Sequence, residues 1–305
     1  IAAGAGKAYD ILNSKLDLAN NQLTVTGCIG MCYLEPIVDV YTDDGLHRFV
    51  KVNSGAAEKI AIAINENDLS QVKEFEISDD DKQFLEKQTR IALRHCGVIN
   101  PEIIEDYTND DGYKALNKVL TTMSPEDVIE EIKVSGLAGR GGAGFPTWFK
   151  WNAARQSTGD KKYLICNADE GDPGAFMDRA VIEGDPHNLI EGMLIGAYAI
   201  GASEAIVYVR AEYPLAIRRL QNAIDQAKAM GYIGQNIMGT DFSCDFRIKA
   251  GAGAFVCGEE TALLNSIEGQ RGMPRPRPPF PAVKGLWEKP TIINNVESLA
   301  CVPYI

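Results

Sequence analysis

The sequence predicts an α/β protein with a parallel, doubly wound sheet in its larger, later part and a smaller unit before it. Two observations predict this class. After residue 160, short apolar runs typical of buried strands alternate with patterns typical of helices, as in βαβ units. Glycine-rich and acidic loops also follow those strands, and the ligands of such sheets bind beyond the carboxyl ends of the strands.

The first predicted unit covers residues 1–80. Apolar spacing and turn residues predict its elements: a helix over 6–20, a strand over 23–27, a hairpin across Asp44-Gly45 and a helix over 56–65. The segment 66–82 is charged and poor in apolar residues, which is typical of a linker.

Residues 81–147 are predicted to form a helical lead-in that ends in a glycine-rich loop. Helical patterns cover 111–122 and 124–136. The second has Ser124 as its N-cap, Pro125 at its first position and Gly136 as its end.

The last predicted domain covers residues 148–305. Its strands and helices alternate in the order strand 162–166, helix 187–202, strand 204–210, helix 214–231, strand 242–250 and helix 259–269. Right-handed crossovers between such strands produce a parallel sheet with helices on both faces.

Composition excludes several classes of function. The net charge of −12 excludes a nucleic-acid partner, because phosphate backbones require a basic surface. No apolar run approaches the roughly 20 residues that a membrane span requires. The seven cysteines are scattered and odd in number, which favours a reduced, cytoplasmic setting over a secreted disulfide framework. The chain begins at Ile1 without methionine, so we interpret it as a fragment.

The stretch GLAGRGGAGFPTWFKW, residues 136–151, is the first candidate site. Its glycines leave the backbone N–H groups free to surround a phosphate, two cations supply charge and aromatic rings offer flat surfaces. These residues are Gly139, Gly141, Gly142, Gly144, Arg140, Lys150, Phe145, Trp148 and Trp151. A flexible hinge is the alternative, since the stretch matches neither the Walker pattern nor GxGxxG.

A second candidate loop, CNADEGDPGAFMDR, follows the strand 162–166. Its polar side chains, Asn167, Asp169, Glu170 and Asp172, could accept hydrogen bonds from sugar or ribityl hydroxyls. The alternatives are a solvated acidic turn or a calcium loop, and the spacing does not fit the EF-hand template.

A third candidate loop runs from Gly251 through Gly258 into a helix. Glu259 and Glu260 at that helix start would repel phosphate, so they are expected to cap the helix or bind hydroxyl and ring N–H groups. A basic, proline-rich segment follows, with Arg271, Arg275, Arg277 and Lys284, and could form a rim for an anionic nucleotide or a plain polyproline linker. Asn294 and Asn295 come after it, and adjacent amides are usually turn formers.

Taken in order, these stretches closely resemble the NADH-binding flavoprotein (51 kDa-type) subunit of respiratory complex I. They are also similar to the β subunits of NAD-dependent electron-bifurcating hydrogenases and formate dehydrogenases. The motifs that carry the resemblance are GRGGAGFPT, CNADEGDPGAF, GAGAF, CGEETALL, RPPFPA and NNVE. The resemblance implies a Rossmann-like domain that binds FMN and NAD(H) together.

The resemblance also implies which residues contact the cofactors. The flavin would contact Gly139, Gly141, Gly142, Lys150, Asn167, Asp169, Glu170, Gly258, Glu259, Asn294 and Asn295. The dinucleotide would contact Phe145, Glu260, Arg277 and Phe280. Arg140, Asp172 and Phe255 are further candidates, Asp172 and Phe255 standing where the family often has glutamate and tyrosine. Ala153 occupies a position that can be aromatic in the family, so the resemblance does not imply a stacking contact there.

Cys28 and Cys32 in TGCIGMC are the candidate metal ligands. Glycines leave room around both thiols, and the alternatives are buried packing cysteines or a redox pair. Residues 1–80 resemble the later part of a thioredoxin-like ferredoxin, which implies a [2Fe–2S] cluster with its other two ligands upstream of Ile1. The family's C-terminal part implies a [4Fe–4S] cluster outside this sequence.

The implied function is an NADH dehydrogenase module in which a hydride passes from nicotinamide to FMN without a catalytic protein side chain. Electrons would then pass to iron–sulfur centres of partner subunits: a thioredoxin-like ferredoxin subunit, an iron–sulfur subunit, and a hydrogenase or formate dehydrogenase subunit. Two alternatives stay open. One is a nucleotide-binding regulatory or scaffold subunit without redox turnover, and the other is a phosphate-handling enzyme. The acidic loop favours NAD over NADP, because it would repel a 2′-phosphate.

Overall fold

The computed structural model describes residues 3–251 and 253–305, so Ala252 of the third candidate loop lies outside the described residues. The chain divides into two compact units, Ile1–Arg90 and Ile91–Ile305. Residue 80 is the predicted end of the first unit, whereas the division between the compact units falls after Arg90.

The first unit packs its first two helices against a two-stranded hairpin, and a third helix follows them. Its elements are α1 (Ala5–Lys15), β1 (Val38–Thr42), β2 (Gly45–Phe49), α2 (Ser54–Asn65) and α3 (Asp79–Glu86). Leu12, Phe49 and Ile60 lie in its core. The hairpin is confirmed, although Thr42 pairs with Gly45, so the two-residue loop lies one position earlier than predicted.

Two expectations for the first unit are wrong. Residues 23–27 form no strand, and among the described residues of this unit β1 pairs only with β2 in a sheet. The segment 66–82 is not a linker, because a 3₁₀ helix over Leu69–Phe75 buries Val72 in the core. The backbone N–H of Val50 also donates to the Phe75 carbonyl at 2.8 Å. The few apolar residues of this segment all pack against buried clusters of the unit, and the low average hydrophobicity of the segment conceals this.

The second unit contains a helical lead-in and an alternating α/β part. Its lead-in helices are α4 (Ile104–Asn109), α5 (Lys114–Thr122) and α6 (Pro125–Val134). The alternating part has α7 (Thr147–Gln156), β3 (Tyr163–Ala168), α8 (Met177–Gly184), α9 (Pro186–Ile200), β4 (Glu204–Arg210), α10 (Pro214–Ala229), β5 (Asp245–Gly251), α11 (Glu260–Ile267), α12 (Pro281–Lys284), β6 (Thr291–Asn295) and α13 (Val296–Ala300). The predicted N-cap at Ser124 is confirmed, with a capping box to Asp127.

The sheet is parallel and doubly wound, as predicted. Its strand order is β5-β4-β3-β6, and every neighbouring pair is parallel. The chain therefore moves outward from β3 to β5 and then returns to the other side of β3 with β6. This reversal makes the β3–β6 boundary the switch point, where a crevice opens beyond the carboxyl ends of the strands.

Helices cover both faces of the sheet, and alternate residues of β3 pack on opposite sides. Leu164 and Cys166 join a large core with α9 and α10, whereas Tyr163 and Ile165 join a smaller core with α11. This alternation follows from the period of two along a strand. With both faces covered, the strand reads as a continuous apolar run.

The lead-in helices are fixed to α9 by a buried carboxylate. Glu191 accepts hydrogen bonds from the Tyr107 hydroxyl at 2.5 Å, the Tyr113 N–H at 2.8 Å and the Leu116 N–H at 2.9 Å. Burial raises the pKa of Glu191, although these hydrogen bonds oppose the shift. The carboxylate thus supplies acceptors to donors at the start of α5, which has no side-chain cap.

Among the described residues, no helix is both long enough and apolar enough to cross a membrane.

Candidate functional site

The candidate site lies at the carboxyl ends of β3 and β6, on the switch point of the sheet. Asn167 near the end of β3 is in register with Asn295 at the end of β6. The glycine-rich loop meets these strand ends from α7, and the third loop meets them from α11. Thus the loops predicted separately from the sequence converge on one place.

The glycine-rich loop is closed at its base and open at its tip. The Gly139 N–H donates to the Phe145 carbonyl at 2.8 Å, and Thr147 N–H donates to the Leu137 carbonyl at 3.1 Å. At the tip, Gly142 and Gly144 have φ of +111° and +63°, and a Cβ on either would meet nothing within 4 Å. The tip therefore presents bare backbone, as an anion-binding loop requires.

Arg140 and Gly141 attach this loop to the start of α13. The Arg140 N–H donates to Ser298 Oγ at 2.9 Å, and its guanidinium Nε donates to Glu297 Oε2 at 2.7 Å. The hydrogen bond with Glu297 raises the pKa of Arg140. A Cβ on Gly141 would lie 3.3 Å from the Cβ of Asn295, so the backbone approaches that side chain closely. Arg140 thus anchors the loop, a role that its charge alone did not reveal.

Lys150 extends from α7 toward the end of β6. Its ammonium pairs with the Glu260 carboxylate and donates to the Ile293 carbonyl at 2.6 Å. Arg277 approaches the same acids, 3.4 Å from Glu259 Oε1 and 3.7 Å from Glu260 Oε2. Two cations from separate segments therefore meet two adjacent carboxylates at the start of α11.

Glu259 caps α11, one of the two roles expected for it. Its Oε2 accepts the backbone N–H groups of Thr261 and Ala262, both at 2.9 Å. Burial raises the pKa of Glu259, but the hydrogen bond from the Thr261 hydroxyl at 2.6 Å, together with these two N–H groups and Arg277, leaves the pKa below its ordinary value. The carboxylate is therefore ionised and occupies the helix N-terminus that would otherwise attract phosphate.

The acidic loop is held by its own side chains. Asn167 donates to the Gly258 carbonyl at 2.9 Å and accepts the Asp169 N–H at 3.1 Å. Burial raises the pKa of Asp169, and Arg210 opposes this shift, with 3.9 Å between its Nε and the carboxylate. The contact between Asn167 and Gly258 joins the second loop to the third.

Glu170 and Asp172 differ in environment. Glu170 accepts the backbone N–H groups of Asp178 and Arg179, both at 3.2 Å, at the start of α8. Asp172 is exposed. Asp172 can therefore contact a ligand as it stands, whereas Glu170 would first have to give up its hydrogen bonds with the backbone of α8.

The two asparagines are not turn formers. Asn294 lies in β6, is 5% exposed and accepts the Trp151 indole N–H at 2.8 Å. Asn295 caps α13, and its amide Nδ2 donates to both carboxylate oxygens of Asp178, at 2.8 and 2.9 Å. Asp178 is not among the residues predicted from the sequence. Its position inside the motif CNADEGDPGAFMDR is the one signal that could have identified it.

The aromatic residues separate into exposed and buried rings. Phe145, Phe255 and Phe280 are 48%, 69% and 59% exposed, so their faces are available to a ligand. Trp151 is fully buried and is part of the core, so the expectation that it offers a flat surface to a ring is wrong.

Cys28 and Cys32 come together in the first unit. Their sulfurs lie 3.8 Å apart, and the Glu35 carboxylate completes a group whose ligand atoms all lie within 4.8 Å of one another. Two sulfurs bound to one tetrahedral metal with bonds of about 2.3 Å stand about 3.8 Å apart, so the pair fits a single metal. Burial raises the pKa of the Cys28 thiol. Glu35 was not predicted as part of this group.

Comparison with known proteins identifies the family. A family model described as the Nuo51 FMN-binding domain matches residues 132–304. The NADP-reducing hydrogenase subunit HndC of Solidesulfovibrio fructosivorans is 61% identical, the match covering 72% of this chain and 44% of that protein. An NADH-quinone oxidoreductase subunit of Aquifex aeolicus is 55% identical, over 73% of this chain and 52% of that protein.

A solved structure agrees with these matches. The crystal structure of an NAD⁺-reducing [NiFe]-hydrogenase in the H₂-reduced state aligns with a TM-score of 0.56 and 31% identity, covering 85% of this chain and 41% of that chain. The chain spans about half the length of the curated relatives it matches. The fold, the convergent loops and these matches agree, and the chain belongs to the Nuo51 FMN-binding domain family.

Proposed function

We propose that this chain is the FMN- and NADH-binding module of a multisubunit oxidoreductase, which exchanges a hydride with NAD(H) and passes electrons to iron–sulfur centres. One observation carries the proposal. In a chain of this family, the open glycine loop, Lys150 and the acids at β3 and α11 converge at the switch point of a parallel sheet. Cofactor sites of such sheets lie at this position.

The residues at the switch point fit a flavin mononucleotide. The bare tip of the glycine loop and the ammonium of Lys150 suit its phosphate, and the polar side chains after β3 suit its ribityl hydroxyls. The residues proposed to hold FMN are Gly139, Gly141, Gly142, Lys150, Asn167, Asp169, Glu170, Gly258, Glu259, Asn294 and Asn295. Bound FMN supplies the chemistry, accepting a hydride and releasing electrons singly.

The dinucleotide is proposed to bind over the same crevice. Exposed rings can stack on its bases, and Arg277 can meet its phosphates once it leaves Glu259 and Glu260. The proposed contacts are Phe145, Asp172, Phe255, Glu260, Arg277 and Phe280. These side chains would orient the nicotinamide and exclude water. Because the two cofactors supply the hydride chemistry, no protein nucleophile is needed.

The first unit is proposed to carry part of an iron–sulfur site. Cys28 and Cys32 would ligate one iron of a [2Fe–2S] cluster, and two further thiolates would complete it. We accordingly propose residues 1–80 as the C-terminal part of a thioredoxin-like ferredoxin domain, 81–147 as the lead-in and 148–305 as the FMN/NADH domain. A [4Fe–4S] cluster is proposed for the part of the protein beyond this sequence.

The names of the matched relatives support an assembly of several subunits. The matched relatives are named as subunits of NADH-quinone oxidoreductase and of an NADP-reducing hydrogenase. We propose partner subunits that carry iron–sulfur centres and a hydrogenase or formate dehydrogenase subunit, assembled in the cytoplasm. We propose NAD(H) as the dinucleotide, because the exposed Asp172 would repel a 2′-phosphate.

An anaerobic absorbance spectrum of the purified full-length protein, before and after NADH, tests the function. We expect a flavin spectrum that NADH bleaches. The substitution K150Q is expected to abolish most of the bound flavin, whereas K161Q is a matched control, because Lys161 also pairs with a glutamate but precedes β3. A colourless protein that binds NADH would instead indicate a regulatory or scaffold subunit, and ATP turnover would indicate a phosphate-handling enzyme.

A further inference from the structure

Asp178 is a buried acid beside the candidate flavin site that the proposed function does not use. It lies in the first turn of α8 and is 8% exposed. Its two carboxylate oxygens lie 2.8 and 2.9 Å from Asn295 Nδ2. The carboxylate, which also accepts a backbone hydrogen bond from Glu297, fixes the Asn295 amide, because turning that amide over would place its oxygen against the negative charge.

Asn295 connects Asp178 to the glycine-rich loop in two ways. Its Oδ1 accepts the Ser298 N–H at 3.3 Å, and its Cβ lies so close to the loop that a Cβ added to Gly141 would stand 3.3 Å from it. Ser298 is itself bonded to the loop, since its Oγ accepts the Arg140 N–H at 2.9 Å. The orientation of the amide thus decides whether the Ser298 backbone keeps its acceptor, and the Ser298 hydroxyl in turn holds Arg140 of the loop.

We propose that Asp178 is a positioning residue, whose charged carboxylate fixes the Asn295 amide and thereby holds the glycine-rich loop in the conformation that receives phosphate. The identification of the ligand as the phosphate of FMN rests on the proposed function, whereas the control of the loop by Asp178 does not. Protonation of Asp178 would turn one acceptor into a donor, so Asn295 would lose one partner and its reversed orientation would become possible. Ser298 N–H would then lose its acceptor.

The surroundings of Asp178 make this protonation accessible near neutral pH. Burial, followed by repulsion from Glu170, raises the pKa of Asp178 to about 7. Glu297 on α13, Cys166 on β3 and Tyr213 before α10 also face it electrostatically.

The first test measures FMN affinity in the deflavinated full-length protein by fluorescence titration between about pH 6 and pH 8. We expect the wild-type protein to lose about tenfold more affinity on acidification than D178N, which should bind weakly at both values. Ionisation of the FMN phosphate affects both proteins alike, so the difference in slope isolates Asp178. The control is D185N, since Asp185 is also buried but bonds to His95 and Asn188. It should keep the wild-type slope. Equal slopes in D178N and the wild-type protein would overturn the proposal.

The second test needs no flavin and separates this inference from the proposed function. Backbone hydrogen exchange at Arg140 reports its bond to Ser298, and exchange at Gly139 reports the base of the loop. We expect D178N to accelerate exchange at Arg140 by about tenfold and D185N to leave it unchanged. If the wild-type protein binds no FMN, the proposed function fails while this test still stands. Unchanged exchange at Arg140 in D178N contradicts the positioning role.

Discussion

Gly141 is a residue at which the loop closely approaches the end of β6. An added Cβ would stand 3.3 Å from the Cβ of Asn295, so the loop or Asn295 would have to shift by a few tenths of an ångström. We expect G141A to weaken FMN binding by about tenfold or more while the fold persists. Fluorescence titration with FMN checks this. G6A is the control, since Gly6 lies in α1 with nothing within 4 Å of its added Cβ.

Asp178 also has a consequence for stability. Its pKa is about 7 in the folded protein and about 3.9 in an unfolded chain, so the folded protein holds the proton more tightly. The free energy of unfolding therefore falls, through this group, as the pH rises from about 4 to about 7, and it is not regained above 7. We expect the stability of D178N relative to the wild-type protein to be greater at pH 8 than at pH 5 in urea unfolding. A relative stability that is the same at both values would contradict the raised pKa.

Glu191 is predicted to be the costliest single acid to remove. E191A would leave the Tyr107 hydroxyl and the N–H groups of Tyr113 and Leu116 without their acceptor. We expect a loss of about 3 kcal/mol in the free energy of unfolding, measured with urea. E130A should change it by less than about 0.5 kcal/mol, because Glu130 forms an exposed pair with Lys133. A similar loss of unfolding free energy in E191A and E130A would contradict the stabilising role of the buried hydrogen bonds of Glu191.

At the scale of elements, helix α9 is sensitive to any added side-chain volume, because two of its glycines allow α13, β3 and α7 to pack closely against it. A Cβ on Gly192 would lie 2.0 Å from the Leu299 carbonyl oxygen of α13, which is backbone and cannot turn away. A Cβ on Gly196 would meet the side-chain ends of Leu164 and Trp151, at 2.9 and 3.1 Å. We expect G192A to lower the thermal midpoint well beyond G196A, measured by circular dichroism. The reverse order would contradict this account of the packing.

The elements that the sequence predicts are those with strong local signals. The alternation of β3, β4 and β5 with α9 and α10 can be predicted because β3 and β4 are largely apolar runs, β5 alternates apolar and polar residues, and both helices carry apolar residues at helical spacing. Strand β6 was missed, because Asn294 and Asn295 resemble a turn when the pairing with β3 is unknown. The stretch 23–27 alternates locally, but it joins neither of the sheets found among the described residues, because strand pairing depends on the whole sheet and not on local alternation.

The sequence allows candidate residues of the site to be proposed, but it does not reveal the contacts that connect them. Glycine and acidic loops at the ends of strands indicated where a ligand would bind, and the family resemblance supplied individual residues. That Arg140 bonds to Glu297 and Asn295 to Asp178 depends on contacts between residues more than a hundred positions apart. Such contacts arise only once β6 lies beside β3, so no local pattern could reveal them.

At the scale of the whole molecule, the two candidate centres lie in different compact units. Cys28 and Cys32 belong to the first unit, and the glycine loop belongs to the second. We expect C32S in the full-length protein to lower the bound iron by the share of one [2Fe–2S] cluster while NADH still bleaches the flavin. Iron analysis and anaerobic absorbance check this. C301S is the control and should keep all the iron, since Cys301 is a buried free cysteine of the second unit. Loss of flavin reduction in C32S would contradict the separation.

The pairing of Lys150 with Glu260 has a consequence for how anions reach this strongly acidic protein. The ammonium that suits a phosphate is already paired with a neighbouring carboxylate, and the same carboxylate lies 3.7 Å from the Arg277 guanidinium. With a net charge of −12, the molecule offers distant anions no attraction, and solvent ions screen what remains beyond about 8 Å. Encounter with a phosphorylated ligand is therefore unaided by long-range steering, and selection happens only on contact, when one negative group replaces another.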